Sequence, residues 1–215
     1  MEGISVDMNN TVTIEQAKEI MGRFFVGPKE LDSIKDYMPI IDNGVPPIPF
    51  DADTLHRIKE DYVLILGASE LSDGKPVTIR NMRAIFGVDP DMKEPCFYNQ
   101  DWYDNETFVD LQMKNEWYVI RKSIYDKSRA VDPEVLNKQY GFPSAIVCTF
   151  SFFVVWLCCG EKLWYHDYIW CKDLDHNGDQ IYVGKYNDVD SVNKNGFSIH
   201  RHLSLRRCYG CIDLM

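Results

Sequence analysis

Fifteen consecutive residues, Ala145 to Cys159 (AIVCTFSFFVVWLCC), are apolar except for Thr149 and Ser151. A stretch of this kind must be withdrawn from water, so it constrains the rest of the chain more than any other segment. It falls short of the ~20 residues that a helix needs to span a bilayer, and Glu161 and Lys162 follow at once. Pro143 and Ser144 suit a helix start, and Gly160 suits its end. The segment therefore predicts a buried core helix around which the other elements pack, with no membrane insertion.

The remainder of the chain can supply that packing. Its 215 residues are 45% apolar and 13% aromatic, enough for a real core and incompatible with a disordered polymer. Acidic residues outnumber basic ones by 33 to 23, and a formal charge of -10 disfavours any partner held by phosphate neutralisation, nucleic acid above all. The first residues, MEGISVDMNN, carry neither a basic leader nor an apolar stretch of the secretory type. Seven cysteines, an odd number, then read as thiols, and the expected location is cytoplasmic or inside a virion.

Hydrophobic spacing places further elements. Thr13 with Gln16 forms a capping-box pair ahead of Ile14, Ala17, Ile20 and Met21, which predicts a first helix. Pro28 opens a second, with Leu31, Ile34 and Met38 on one face. The Pro-rich PIIDNGVPPIPF marks a loop; Asp53 or Thr54 can cap the helix that follows, and YVLILG reads as a buried strand. Ile79, Met82 and Ile85 predict another helix, Trp117 to Ile124 a strand, and Asp132-Pro133 a short helix. Beyond Gly160 the pattern turns to strands, in WYHDYIWC, QIYVGKY and GFSIHRHL. The fold class expected is α+β in a single domain.

Two separated parts together resemble a known family. TIEQAKEIMGRFFVGPKELDSI, through Thr13, Ala17, Pro28, Glu30 and Leu31, resembles the opening of bacterial C-type-lectin-like domains of the Lcl C-terminal and sulfatase-modifying groups. Where that family has W-R-L-P, this chain has FVGP. The C-terminal YIWCKDLDHNGDQIYVGKYN and GFSIHRHLSLRRCYG are similar to the family's closing hairpin, with Trp170-Cys171 at the Trp-Ser place and Arg201, Arg206 or Arg207 at the arginine place. The apolar helix ahead of it also resembles lectin-like targets of diversity-generating retroelements. The resemblance implies a lectin-like core of residues 1–38 and 143–215 whose two ends pair in space, with 39–142 as an α/β insertion.

Several residues are candidates for chemistry. Asp173, Asp175, Asn177 and Asp179 fall where a calcium loop places oxygen ligands, but its twelfth position is Gly184 rather than Glu, and strands flank it. Asn177-Gly178 between two strand patterns reads instead as a tight hairpin turn. Cys208 and Cys211 have the spacing of half a zinc site or of a redox pair. In the lectin-like setting the same pair is similar to the copper site of formylglycine-generating oxidases. His200 and His202 alternate with Arg201 in one strand, and Arg206 and Arg207 follow, making a basic patch in an acidic chain. Trp164, Tyr168 and Trp170 could add aromatic contact area. No phosphate loop, nucleophile elbow or H-E-x-x-H motif occurs. The expectation is a non-catalytic module recognising a protein or small molecule through Trp164 to Arg207. A copper oxidase and a particle component are the alternatives; no cofactor is expected, with calcium or copper the metals the residues would admit.

Overall fold

The structure, a computed structural model, describes residues 11–41, 43–188, 195–201 and 205–215. In chain order its regular elements are α1 (Ile14–Met21), β1 (Phe25–Val26), α2 (Pro28–Ser33), α3 (Ala52–Ile58), β2 (Tyr62–Leu66), α4 (Ile79–Phe86), β3 (Trp117–Arg121), α5 (Pro133–Asn137), α6 (Ala145–Cys159), β4 (Tyr168–Leu174), β5 (Gln180–Gly184), β6 (Ser198–Arg201) and β7 (Tyr209–Gly210). The chain is mixed α and β with two sheets, and α6 is the predicted core helix.

Local signals set most boundaries. The capping box of α1 is complete: Gln16 N donates to Thr13 Oγ1 at 3.2 Å and Thr13 N to Gln16 Oε1 at 2.9 Å. Helix α3 is capped by Asp51 rather than Asp53 or Thr54, because Asp51 Oδ1 accepts from Thr54 N at 2.7 Å. On α4, Ile79, Met82 and Phe86 are buried, while Ile85 is only half-buried. Helix α2 stops at Ser33, and turns carry the chain on to the buried Met38.

In the first sheet β1 runs parallel to β2, Phe25 opposite Leu64, and β2 runs antiparallel to β3, Leu64 opposite Val119. Leu214 then bridges to Ile120 on the far side of β3. The N-terminal strand and the C-terminal residues thus occupy opposite edges of this sheet and do not pair with each other there. The second sheet has the order β6-β5-β4-β7, with β4 and β5 as an antiparallel hairpin. Its turn is longer than a two-residue Asn-Gly connection. Leu174 pairs with Gln180, and of the turn residues only Gly178 takes positive φ (85°).

Helix α6 packs against β1 on one side and β4 and β5 on the other, which is why it is apolar around its whole circumference. Phe153 stacks on Phe97 at 4.8 Å between centroids, and Phe152 meets Phe197 at 4.7 Å. Each fully buried ring contributes about 1.5–3 kcal/mol. Residues of 39–142 enter the same buried cluster as both ends of the chain. Alternate residues of β4 and β5, namely Tyr168, Trp170 and Tyr182, face away from α6 into a second cluster covered by Leu136 and Phe142.

Candidate functional site

The expected calcium-loop carboxylates are assigned to different structural duties. Asp173 is buried and its Oδ2 accepts from Ala145 N at 2.6 Å, so a strand residue caps the first turn of α6. Ser144, the residue at the capping position, makes no side-chain bond there. Burial pushes the Asp173 carboxyl above its ordinary range despite that amide. Asp175 Oδ1 accepts from Asn177 N and Asp179 N, both at 2.8 Å, and Oδ2 accepts from Arg201 Nη1 at 3.2 Å. Burial would raise its carboxyl too, but these donors outweigh it and hold the group below its usual range. Both oxygens of Asp175 are thus engaged by the hairpin itself, through the backbone amides of Asn177 and Asp179 and through Arg201.

Sequence spacing did not reveal Glu106. It is buried and reaches the same turn, where Oε2 accepts from His176 N at 3.0 Å and Oε1 lies 2.6 Å from His176 Nδ1. Glu106, Asp175 and His176 are the one group of three metal-competent side chains drawn together among the described residues. Each carboxylate in it already has a protein donor.

The residues expected to present a binding face are distributed otherwise. Trp164, Tyr168 and Trp170 are 3%, 4% and 0% exposed, so they are core and offer no contact area. A tryptophan with strand neighbours reads the same way in sequence whether its face of the sheet is covered or open; here α5 and Phe142 cover it. His200 is half-buried, stacked on Tyr182 at 5.6 Å, with Nε2 3.2 Å from Gln100 Nε2. Arg201 is held by Asp175 and lies over the Trp102 ring at 5.2 Å. Arg206 and Arg207 are exposed, and His202 lies outside the described residues. Cys208 is half-buried and Cys211 buried beside β7, and burial pushes both thiols up, away from the thiolate that binds metal.

A different place has the form of a binding site. Beyond the carboxyl ends of the parallel strands β1 and β2 lies an open cavity of about 360 Å³. Its apolar wall comes from Pro28, Leu31, Ile40, Ile41, Leu66 and Ala68, and its polar rim from Lys29, Asp32, Asn43 and Asn115. Ile40 and Ile41 of the wall come from the Pro-rich segment, which is pinned at β3: Asn115 Nδ2 donates to the Gly44 carbonyl at 2.9 Å and Trp117 Nε1 to that of Pro46 at 2.8 Å. Asn43 Nδ2 closes the corner on Ser69 Oγ at 2.9 Å. The volume is within the range of small-molecule pockets. No histidine, cysteine, serine or tyrosine lines it among the described residues.

No family model matches the chain, and no curated protein or solved structure matches it. Among the described residues no helix is long and apolar enough to cross a membrane. The sequence does carry a signal for the cavity. FVGP and YVLILG are both apolar runs ended by glycine, and the first leads straight into a helix, as a βα turn does.

Proposed function

We propose that this protein is a non-catalytic recognition module whose ligand is a small molecule bound in the cavity beyond β1 and β2. The observation that carries this reading is the cavity itself, an apolar wall with a few fixed polar groups at the rim. Its position supports the same reading, because the crevice outside the carboxyl ends of parallel strands is where open α/β sheets hold ligands. Its lining offers apolar contact and hydrogen bonds, and its two ionisable side chains, Lys29 and Asp32, are both exposed to water at the rim, an arrangement suited to binding. The finer assignment, a C-type-lectin-like arrangement, rests on the terminal hairpin, since the two ends of the chain lie at opposite edges of the first sheet.

The reading is tested by methyl NMR of the protein against a mixture of small amphiphiles. Shifts confined to Leu31, Ile40, Ile41 and Leu66 are expected. Shifts centred instead on the β4 to β6 face would move the site to where the sequence patterns first placed it.

A further inference from the structure

We infer that the cavity beyond β1 and β2 selects a small amphipathic carboxylate, its apolar body on the Leu31, Ile40 and Leu66 wall and its anionic end at Lys29. This inference rests on the cavity being a ligand site. It adds the ligand's class, which follows from how the rim groups are already engaged.

Four side chains give the rim its polarity. The Asn115 amide donates to the Asn43 and Gly44 carbonyls, and the Asn43 amide donates one N–H to Ser69, which fixes both neutral side chains in place. Asp32 is paired with Lys35 Nζ at 3.3 Å. Lys29 has no ion-pair or hydrogen-bond partner among the described residues, and it is exposed, so its ammonium can turn over the mouth without breaking an existing contact. The rim's one uncommitted charge is therefore a cation, and the group that complements it is an anion. The protein's overall negative charge opposes an anion only weakly at this point, because at physiological ionic strength fields are screened beyond about 8 Å.

A carboxylate suits this rim better than a dianion. One exposed ammonium neutralises one charge, and the neighbouring Asp32 makes a second costly. Below the rim the wall is wholly aliphatic, so a ligand that fills it must carry an alkyl or similar body, each buried methylene of which contributes about 0.8 kcal/mol.

Calorimetric titration of the full chain with octanoate, 1-octanol and octylammonium separates the two layers of the reading, with Lys29→Gln and Lys29→Glu as variants at an exposed position where folding is not at risk. Octanoate should bind wild type about threefold to tenfold more tightly than 1-octanol, between the worth of an exposed ion pair and of a charge-assisted hydrogen bond. Lys29→Gln should erase that preference and leave 1-octanol unchanged, and Lys29→Glu should reverse it. If octanoate and 1-octanol bind wild type equally, or octylammonium binds best, the carboxylate assignment is overturned while the cavity stands. If none of the three binds, the cavity reading falls with it.

Discussion

The bond from Asp173 to the first amide of α6 ties the terminal hairpin to the core helix, and its removal has a calculable effect. Asp173→Ala leaves the buried Ala145 N–H without its acceptor, with no side-chain cap at Ser144 to replace it. Losing a helix cap of this kind costs about 1–2 kcal/mol, which for a chain of this length is about 2–8 °C in Tm. Asp173→Asn keeps an oxygen in place and removes the buried charge, so it should be as stable as wild type or more stable at pH 7. The pH dependence has a definite sign. Because burial raises the folded carboxyl above its ordinary value of 3.8, the folded state holds the proton more tightly. The contribution of Asp173 to stability therefore falls as pH rises from 3.8 through the folded value, and Asp173→Asn should abolish that component. Urea denaturation followed by circular dichroism between pH 4 and 7 reads both effects. Wild-type stability in Asp173→Ala, or a calcium-dependent stabilisation that Asp173→Asn removes, would refute the capping role.

Asp175→Ala should destabilise by about 1–3 kcal/mol, since two backbone amides and Arg201 lose one acceptor group. Its carboxyl is held below 3.8, so its contribution is present above that value and lost as pH falls through the folded one. Acid denaturation should therefore be shallower in the variant. Gly196→Ala should cost about 1–3 kcal/mol or more, because φ is +140° and an added Cβ would lie 2.5 Å from the Tyr98 backbone. Thermal unfolding checks this, and an unchanged Tm would contradict the close approach of Gly196 to the Tyr98 backbone.

What the sequence disclosed, and what it concealed, divides along the range of the interactions. The Thr13–Gln16 box, the Gly160 stop and the apolar run of α6 depend on neighbours within a few positions, and all three appear where their spacing places them. The turn near Gly178 was legible for the same reason, though not its length, which Asp175 sets by binding two amides beyond it. Asp173 and Glu106 were not legible as structural carboxylates. Their partners, Ala145 and His176, are 28 and 70 positions away, and a side chain's duty at that range depends on packing that no local pattern records. Burial of Trp170 was hidden likewise, because the cover over its side of the sheet comes from Leu136 and Phe142. The cavity draws on four separate segments, α2, the Pro-rich loop, the end of β2 and Asn115, and it becomes visible only once β1 and β2 are paired.

The central claim is that the recognition site lies beyond β1 and β2 rather than on the terminal strands. Methyl NMR of wild type and of Ala68→Leu, which adds a side chain into the cavity, tests it most directly with octanoate as the probe. The account predicts dose-dependent shifts at Leu31, Ile40, Ile41 and Leu66 in wild type and their loss in a folded Ala68→Leu. Shifts that persist in that variant, or that appear at Ile199 and Leu174 instead, would contradict it.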